Sequence, residues 1–454
     1  MTAPNLTFRE RLLEHSSRIA EVPAILAPTA NLSYGALVGE VRALAVALRS
    51  RGIGQGTIVA LTARSEVDHL LAALALLELG APQVALASHD PPAMRLRLAR
   101  RVGATLVLAD RPDDAVAGLD RIDLGAALAS ARANPRGDAE PGFDAAIPAL
   151  YLTGSGTTGE PKVIRFSQHD LARHADNHIN FAGERVLRPA HVEYNNSKRM
   201  RLYTLWQGGT CVFADGTAES LHGQCARHRV TWLELSPLHG ADLLAASRVE
   251  GMLPAYTAVR VGGARVPIAL RRAIISAASP RLFVSYGTTE TSLVAIADPT
   301  MHDARETVGP PAAGVTVEVL RPDGLCAAPD EIGEIRIRGP GMATGYVDDA
   351  AATPKHFRDG WFVPGDLASF DADGRLYLHG RKDDMMIMNG INIFPAEIER
   401  TLEAHPAVEA AAAFPIPSAV HGQIPVAAVE LREGCACTAF ELVGYARSAL
   451  GVRA

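Results

Sequence analysis

Residues 151–167 read YLTGSGTTGEPKVIRFS, a run in which glycines alternate with hydroxyl-bearing residues ahead of a proline and a lysine. Clustered glycines let the backbone approach an anion and leave N–H groups free to point at it. Hydroxyls and a lysine add donors and positive charge. The run therefore predicts a phosphate-binding loop, with a flexible surface loop as the alternative; it is not a Walker loop, because no G-K-[ST] ends it. The residues concerned are Thr153, Gly154, Ser155, Gly156, Thr157, Thr158, Gly159 and Lys162.

Length and charge bound the remaining possibilities. The chain has 454 residues, which predicts two to four structural units, and its net charge of −6 gives no reason to expect nucleic acid. Five cysteines, few and odd in number, favour a reducing compartment. No secretory signal is visible, and the most apolar stretch, residues 70–79, is about half a membrane span. We therefore expect a soluble, cytoplasmic protein without a nucleic-acid or membrane partner.

Helical and strand patterns alternate through most of the chain. A strand pattern over residues 57–63 and a helical pattern ending at Gly80 are typical of parallel sheets flanked by helices. After about residue 310 the strand patterns shorten and glycine turns separate them. From residue 384 onward an amphipathic helix over 395–404 precedes a short strand. The predicted fold class is α/β, with a large N-terminal domain of stacked mixed and parallel sheets with helices, a β-rich subdomain, and a small α+β C-terminal domain.

Three further motifs carry groups suited to a nucleotide. Residues 285–292 read SYGTTETS, and an acid placed near phosphates usually indicates Mg²⁺, since a bare carboxylate there would be repelled. Residues 361–367 read WFVPGDL, where Asp366 could accept both hydroxyls of a ribose. Residues 380–394 read GRKDDMMIMNGINIF and place Arg381 and Asp383 on a charged connector. A turn or a surface ion pair is the alternative for each motif taken singly.

In this order, the four motifs resemble those of the adenylate-forming superfamily of acyl-CoA ligases, peptide-synthetase adenylation domains and firefly luciferase. Matching stretches run from LSYGAL (32–37) to HGQIPVAAVEL (421–431), nearly the whole chain. The resemblance implies an adenylation domain over residues 1–382 and a mobile C-terminal domain over 383–454, with a hinge near Asp383. A family lysine would lie beyond Leu450, so this domain looks incomplete. We expect a further tail bearing that lysine, the alternative being a protein that works without it.

The resemblance also implies roles for the motif residues in binding ATP. Thr153 to Lys162 would form the phosphate loop, Thr289 would contact the α-phosphate and Glu290 would hold Mg²⁺. Asp366 and Arg381 would bind the ribose, and Asp383 would be the hinge. The residues implied around the adenine are Gly262, Gly263, Ala264, Tyr286 and Gly287.

The resemblance further implies where the acid would bind. Asn195 falls where amino-acid-activating relatives carry an aspartate, so an α-amino acid is disfavoured; aryl-acid-activating relatives also use an asparagine there. Asn196 and Arg199 would be neighbours, which favours a flat or short acid with one polar or anionic substituent. The alternative is that Arg199 points to solvent. The implied pocket walls are Leu238, Val259, Val261, Ser285, Leu293 and Val294.

The implied activity is attack of a carboxylate on the α-phosphate of ATP, which gives acyl-AMP and pyrophosphate, followed by acyl transfer. CoA is the favoured acceptor because GINIFPAEIE (390–399) resembles acyl- and aryl-CoA ligases. Transfer to the phosphopantetheine of a carrier protein or to an amine stays open, as does a ligand-binding relative without ligase activity. The expected cofactors are ATP and Mg²⁺, and the expected state is a monomer or homodimer.

Overall fold

The computed structural model describes residues 6–28, 30–134, 144–154, 162–214, 219–302, 305–388, 391–418 and 422–450. The chain forms two compact units, each described by itself below. The larger unit comprises Met1–His302, Ala312–Thr316 and Arg338–Phe362, and the smaller unit comprises Asp303–Pro311, Val317–Ile337 and Val363–Ala454.

Side-chain caps fix where several helices of the larger unit begin. The Thr7 hydroxyl accepts from the Glu10 backbone while the Glu10 carboxylate accepts from Thr7, and Ser167 and Asp170 repeat this capping box. Each cap satisfies donors that a first helical turn leaves unpaired. The helices are α1 (Phe8–Arg18), α2 (Tyr34–Arg49), α3 (Glu66–Glu78), α4 (Pro92–Val102), α5 (Leu124–Ala133), α6 (Gln168–Asp176), α7 (Asn195–Trp206), α8 (Leu221–Arg227), α9 (Pro237–Glu250), α10 (Ile268–Ala277) and α11 (Thr353–His356).

Fourteen strands of the larger unit precede residue 300 among the described residues. Most are short and apolar, as expected of strands buried on both faces. In chain order they are β1 (Pro23–Ala27), β2 (Ala30–Ser33), β3 (Val59–Thr62), β4 (Gln83–Ala85), β5 (Leu106–Ala109), β6 (Asp120–Asp123), β7 (Pro148–Gly154), β8 (Lys162–Ser167), β9 (Arg185–Arg188), β10 (Thr210–Phe213), β11 (Trp232–Leu235), β12 (Ala258–Gly262), β13 (Leu282–Thr288) and β14 (Ser292–Ala297).

These strands form two sheets. The first has the order β6-β5-β3-β4-β7-β8 and is parallel except between β7 and β8. The second has the order β14-β13-β12-β11-β9-β10-β1-β2 and is antiparallel only at its two edges. Helix α3 is buried at every position from His69 to Glu78, because its sequence is apolar on nearly every face. The predicted α/β class with mixed and parallel sheets is confirmed.

The remaining strands belong mainly to the smaller unit, apart from a short β18–β19 hairpin in the larger one. They are β15 (Thr307–Gly309), β16 (Thr316–Leu320), β17 (Gly333–Arg338), β18 (Phe357–Arg358), β19 (Trp361–Phe362), β20 (Asp366–Phe370), β21 (Leu376–Arg381), β22 (Met386–Met388), β23 (Ile391–Ile393), β24 (Val408–Ser418) and β25 (Gly422–Leu431). Within the smaller unit one sheet has the order β15-β21-β20-β17, with β16 beside β17.

The end of the chain adds a second small sheet of order β23-β22-β25-β24. Helices α12 (Pro395–Glu403) and α13 (Ala439–Leu450) complete it, and α12 corresponds to the helix predicted over 395–404. Ile398 and Leu402 of α12, Leu442 of α13 and Val408 of β24 share one apolar cluster, so the helices and the sheet bury a common face. The structure confirms the predicted β-rich part followed by a small α+β part.

Candidate functional site

The glycine-rich run connects the two antiparallel strands β7 and β8. Gly154 is paired with Lys162 and Thr153 with Val163, so both ends of the run are held by the sheet. The predicted loop residues Ser155, Gly156, Thr157, Thr158 and Gly159 lie outside the described residues. What the structure describes is therefore the frame of the predicted phosphate loop, at the sheet edge where β7 ends.

Helix α7 fixes the beginning of this loop. The Asn195 side-chain amide donates to the Thr153 carbonyl oxygen at 2.8 Å and to the Thr153 hydroxyl at 2.7 Å. Asn195, predicted to lie in the acid pocket, thus contacts the first residue of the predicted phosphate loop. Its neighbour Asn196 is exposed. The place of both side chains in an acid pocket stays a prediction.

The predicted magnesium acid lies in the tight turn between β13 and β14. The Thr288 and Thr291 hydroxyls are 2.9 Å apart, and the Thr291 N–H donates to Thr288 at 3.1 Å, which closes the turn. A Cβ on Gly287 would lie 2.5 Å from the Ser292 carbonyl oxygen, so only glycine fits at that position. Ser292 itself has a φ of 64°, an uncommon conformation for a residue with a side chain. The turn is a tightly constrained piece of backbone.

The Glu290 carboxylate is brought close to the predicted phosphate loop. Its side chain is buried, with 9% of the residue exposed, and a Cβ on Gly154 would lie 3.7 Å from Oε1. The Tyr346 hydroxyl donates to the same oxygen at 3.0 Å. Two motifs far apart in sequence, the glycine-rich run and SYGTTETS, therefore meet at one place in the larger unit.

The Glu290 carboxylate has the chemistry that magnesium requires. Mg²⁺ in nucleotide sites is held by one or two carboxylates together with phosphate oxygens and water. Glu290 accepts a hydrogen bond from a neutral hydroxyl, and no described side chain forms an ion pair with it. No group of three His, Cys, Asp or Glu side chains within the described ranges could hold a metal by itself. Glu290 fits a metal that the phosphates of a nucleotide also bind.

Lys162 contacts two residues that the sequence reasoning missed. Its Nζ lies 2.8 Å from His356 Nε2 and 4.9 Å from the centre of the Tyr346 ring. A charged lysine has only donors, so His356 Nε2 must be the acceptor and its ring proton lies on Nδ1. Tyr346 thus touches both the end of the loop and Glu290. No local motif marks it, because it lies 56 residues from Glu290 in sequence.

The predicted adenine residues lie at adjacent strand ends. Gly262 is paired with Ser285, and a Cβ on Gly262 would lie 2.5 Å from the Ser285 hydroxyl oxygen. Gly263 follows with a φ of 90°, which glycine adopts without strain. Tyr286 is next along β13 and is partly exposed. Ligands of open α/β sheets bind at the carboxyl ends of the strands, which is where these residues lie.

Arg199 is buried, so the alternative that it points to solvent is wrong. Only 4% of the residue is exposed, and its Nη1 donates to the Thr289 carbonyl oxygen at 2.9 Å. Its Nε has no hydrogen-bond partner, and no carboxylate in the described part of the chain forms an ion pair with it. Helix α7 thereby places a cation against the turn that carries Glu290.

The predicted pocket walls differ in their exposure. Val259, Val261, Leu293 and Val294 are buried and Ser285 is partly exposed. Leu238, in the first turn of α9, is 71% exposed, so the described residues do not enclose it. The role of these residues as walls of an acid pocket stays a prediction.

In the smaller unit, Asp366 and Arg381 lie together. They are paired residues of β20 and β21, and Arg381 Nη1 lies 3.1 Å from Asp366 Oδ1. Arg381 also donates to the Pro364 carbonyl oxygen at 3.0 Å. Asp383 follows in an exposed turn beside a cavity of about 340 Å³ that Arg381 and Phe414 help to line.

No helix in the described part of the chain is long and apolar enough to cross a bilayer. The five cysteines are all unpaired.

Comparisons with known proteins show which families this chain resembles. The AMP-binding enzyme family matches residues 12–347, and the AMP-binding enzyme C-terminal domain matches residues 397–453. A sulfoacetate–CoA ligase from Cupriavidus necator is 33% identical over 67% of this chain and 61% of its own length. A fatty acid–[acyl-carrier-protein] ligase from Mycobacterium marinum is 29% identical over 92% of this chain and 86% of its own.

A solved structure shares the fold. An o-succinylbenzoate CoA synthetase from Bacillus subtilis, in complex with its acyl-adenylate intermediate, superposes with a TM-score of 0.83 at 23% identity. The match covers 96% of this chain and 91% of that one.

Proposed function

The chain belongs to the AMP-binding enzyme family, and on that premise we propose that it activates a small polar or aromatic carboxylic acid as an acyl-AMP and passes the acyl group to CoA. The resemblance drawn from the four motifs is confirmed, and so, at the level of the family, is the expected class of an AMP-forming acid ligase. The observation that carries the proposal is the meeting of Gly154 and Glu290. It joins a phosphate-binding frame to a magnesium-type carboxylate.

In the first step a carboxylate oxygen of the acid forms a bond to the α-phosphorus of ATP. The bond to the bridging oxygen breaks, and pyrophosphate leaves with that electron pair. This chemistry requires little covalent help, so positioning and charge neutralisation supply most of the catalysis. The run from Thr153 to Lys162 would hold the phosphates, and Thr289 would contact the α-phosphate.

Glu290 would hold the magnesium ion, which supplies positive charge that offsets the negative charge of the phosphates. The Tyr346 hydroxyl fixes the orientation of this carboxylate, as second-layer hydrogen bonds do at metal ligands. Lys162, held by His356, would add a positive charge at the loop. A contact within the larger unit supports each of these proposed roles.

In the smaller unit, Arg381 holds the Asp366 carboxylate in one orientation. That carboxylate keeps acceptor capacity for ribose hydroxyls. The division into domains at residues 382 and 383, with Asp383 as the hinge for the second step, belongs to the same proposal. So do a cytoplasmic location and a monomeric or homodimeric state.

In the second step the sulfur of a thiol would attack the acyl carbonyl carbon, and AMP would leave. CoA is the proposed thiol, and the CoA ligase from Cupriavidus necator supports it. The phosphopantetheine of a carrier protein is a second candidate. The relative from Mycobacterium marinum, which covers most of this chain, supports that acceptor.

Acid-dependent exchange of labelled pyrophosphate into ATP tests the first step. The panel would contain benzoates, cinnamates, short diacids, sulfoacetate, amino acids and fatty acids, with Mg²⁺ present. We expect exchange with one chemical group of acids and none with amino acids. Absence of exchange with every acid, from a protein that still binds ATP, would contradict ligase activity and favour a binding-only relative.

The acceptor is tested separately, after an active acid is found. CoA, a carrier protein bearing phosphopantetheine, and simple amines would each be added, and AMP release measured. We expect CoA to accelerate AMP release. Acceleration only by the carrier protein or only by an amine would replace CoA as the acceptor while leaving the first step intact.

A further inference from the structure

Arg199 is a buried cation for which the described protein supplies no opposite charge. Its guanidinium donates to the Thr289 carbonyl oxygen and lies within hydrogen-bond reach of the neutral Tyr203 hydroxyl, and its Nε has no hydrogen-bond partner among the described residues. An arginine cannot lose its proton in a protein, so burial cannot neutralise it. A buried charge without a counter-ion is strongly unfavourable. Something that binds here should be an anion.

The neutral side chains next to Arg199 cannot provide that anion. Burial lowers the pKa of His174 to about 3, with a smaller contribution from the Arg199 cation, so this imidazole is uncharged near neutral pH. Burial raises the pKa of the Tyr203 hydroxyl above its ordinary value, although Arg199 acts in the opposite direction. Neither group is negatively charged at physiological pH.

The wider surroundings add to the positive charge. His178 lies within electrostatic reach of Arg188, Arg199 and Arg260, and it is itself kept neutral by burial. Arg188 and Arg260 share a single carboxylate, that of Glu234. Three guanidinium groups therefore act on His178, and two of the three, those of Arg188 and Arg260, are paired with the Glu234 carboxylate.

We propose that Arg199 binds a second anionic group of the acid substrate, a carboxylate or a sulfonate, so that the enzyme's substrates are acids with two negative charges. The inference rests on the proposed function and names its substrate class more narrowly. One anion reacts with ATP at the turn that carries Thr289 and Glu290. The other meets Arg199, which contacts the same turn through the Thr289 carbonyl.

Matched acid pairs test this inference in the pyrophosphate exchange assay. Succinate and 3-sulfopropionate carry a second anion that butyrate lacks, and benzene-1,4-dicarboxylate carries one that 4-methylbenzoate lacks. Because hydrogen bonds to charged groups are worth about 1.5–3 kcal/mol, we expect kcat/KM to favour the doubly charged member of at least one pair by roughly 10- to 100-fold. The carboxylate and sulfonate arms identify which anion fits.

Arg199→Gln should lower kcat/KM for the doubly charged member of a pair more than for the singly charged member, so that the preference is lost, and Arg199→Lys should retain part of the preference. Arg173→Gln, which removes an exposed arginine of α6, is the matched control and should keep the wild-type preference. Two results would overturn the inference. The first is a preference of the wild-type enzyme for the singly charged members, a result that does not depend on the folding of any variant. The other is an equal loss on both members in Arg199→Gln.

Failure of the proposed function would be recognised separately. If the wild type exchanges no pyrophosphate with any acid, calorimetric titration with succinate, 3-sulfopropionate and butyrate still measures the anion site. Binding of a doubly charged acid to the wild type but not to folded Arg199→Gln would support it. Equal binding, or no binding by either protein, would contradict it.

Discussion

Two sets of buried charged side chains in the larger unit differ in whether they contact an opposite charge. In the first, Arg188 and Arg260 both contact Glu234, so each cation meets an opposite charge within the protein. In the second, Arg199 contacts a carbonyl and Glu290 contacts a hydroxyl, and neither meets an opposite charge among the described residues. The difference separates charges that stabilise the fold from charges kept available for ligands.

The energetics of burial explain why this difference is informative. Burial raises the pKa of Glu234, but the Arg260 and Arg188 cations outweigh burial and hold that pKa below its ordinary value. The Glu234 carboxylate therefore stays charged. A buried ion pair roughly offsets its own desolvation, whereas a lone buried charge does not. Buried charged groups that meet no opposite charge among the described residues, such as Arg199 and Glu290, lower the stability of the fold. Bound substrate and magnesium would offset that loss of stability.

The largest expected effect is on the stability contributed by the first set, Arg188, Arg260 and Glu234. Glu234→Gln would leave Arg188 and Arg260 without a counter-charge, and we expect the free energy of unfolding to fall by about 3–5 kcal/mol. Urea denaturation measures this. Glu40→Gln, which breaks a partly exposed ion pair with Arg132, is the control and should cost less than about 1 kcal/mol. Equal losses in the two variants would erase the proposed distinction.

Lys198 represents a third outcome, in which burial lowers the pKa of a cation toward neutral pH. It is fully buried, and its Nζ has no hydrogen-bond partner in the described part of the chain. Burial lowers its pKa to about 7 despite the opposing influence of Glu193. Between pH 7 and the ordinary lysine pKa the unfolded chain binds one proton more than the folded one. Stability from this group therefore rises with pH through that window, by up to about 1.4 kcal/mol per pH unit.

Lys198→Met should remove that pH dependence. We expect the difference in free energy of unfolding between wild type and variant to grow in favour of the wild type from pH 7 to pH 9.5. Urea denaturation at several pH values measures this difference. Contributions from the other titrating groups cancel in it because both proteins contain those groups. A difference that does not change with pH would show that Lys198 keeps its ordinary pKa.

Arg199→Met should behave in the opposite way to Glu234→Gln. Because it removes an uncompensated buried charge, we expect the free energy of unfolding to stay unchanged or to rise by about 1 kcal/mol. The measurement is again urea denaturation, without ligands. A loss of several kcal/mol would mean that Arg199 is part of the structural set, whatever its effect on acid preference.

The smallest expected effect concerns the hydrogen bond by which Tyr346 orients the Glu290 carboxylate. Tyr346→Phe removes the hydrogen bond that orients the Glu290 carboxylate but leaves the charge available to the metal, so we expect kcat/KM for pyrophosphate exchange to fall roughly three- to ten-fold. The Mg²⁺ concentration required for half-maximal rate should rise. Tyr194→Phe, at a half-exposed position, is the control. An unchanged magnesium requirement in Tyr346→Phe would remove the positioning role.

The sequence predicted groups that are marked by local motifs. The glycine-rich run indicated a loop whose ends the structure pairs, and Asp366 and Arg381, predicted to act together, are register partners. Long-range contacts were not predictable in this way. Tyr346 reaches Glu290 across 56 residues, and Arg199 reaches Thr289 across 90. Such contacts depend on how the elements pack, which periodicity and turn chemistry do not determine.

Pyrophosphate exchange by wild type and Glu290→Gln, with the active acid and saturating ATP across a range of Mg²⁺ concentrations, tests the central claim most directly. The substitution keeps the size of the side chain and its hydrogen bond to Tyr346 but removes the charge available to the metal. We predict a loss of about 100-fold or more, with the free energy of unfolding changed by less than about 1 kcal/mol. Exchange at the wild-type rate with the same magnesium dependence would contradict the assignment of Glu290, and with it the distinction between structural and ligand-binding charges.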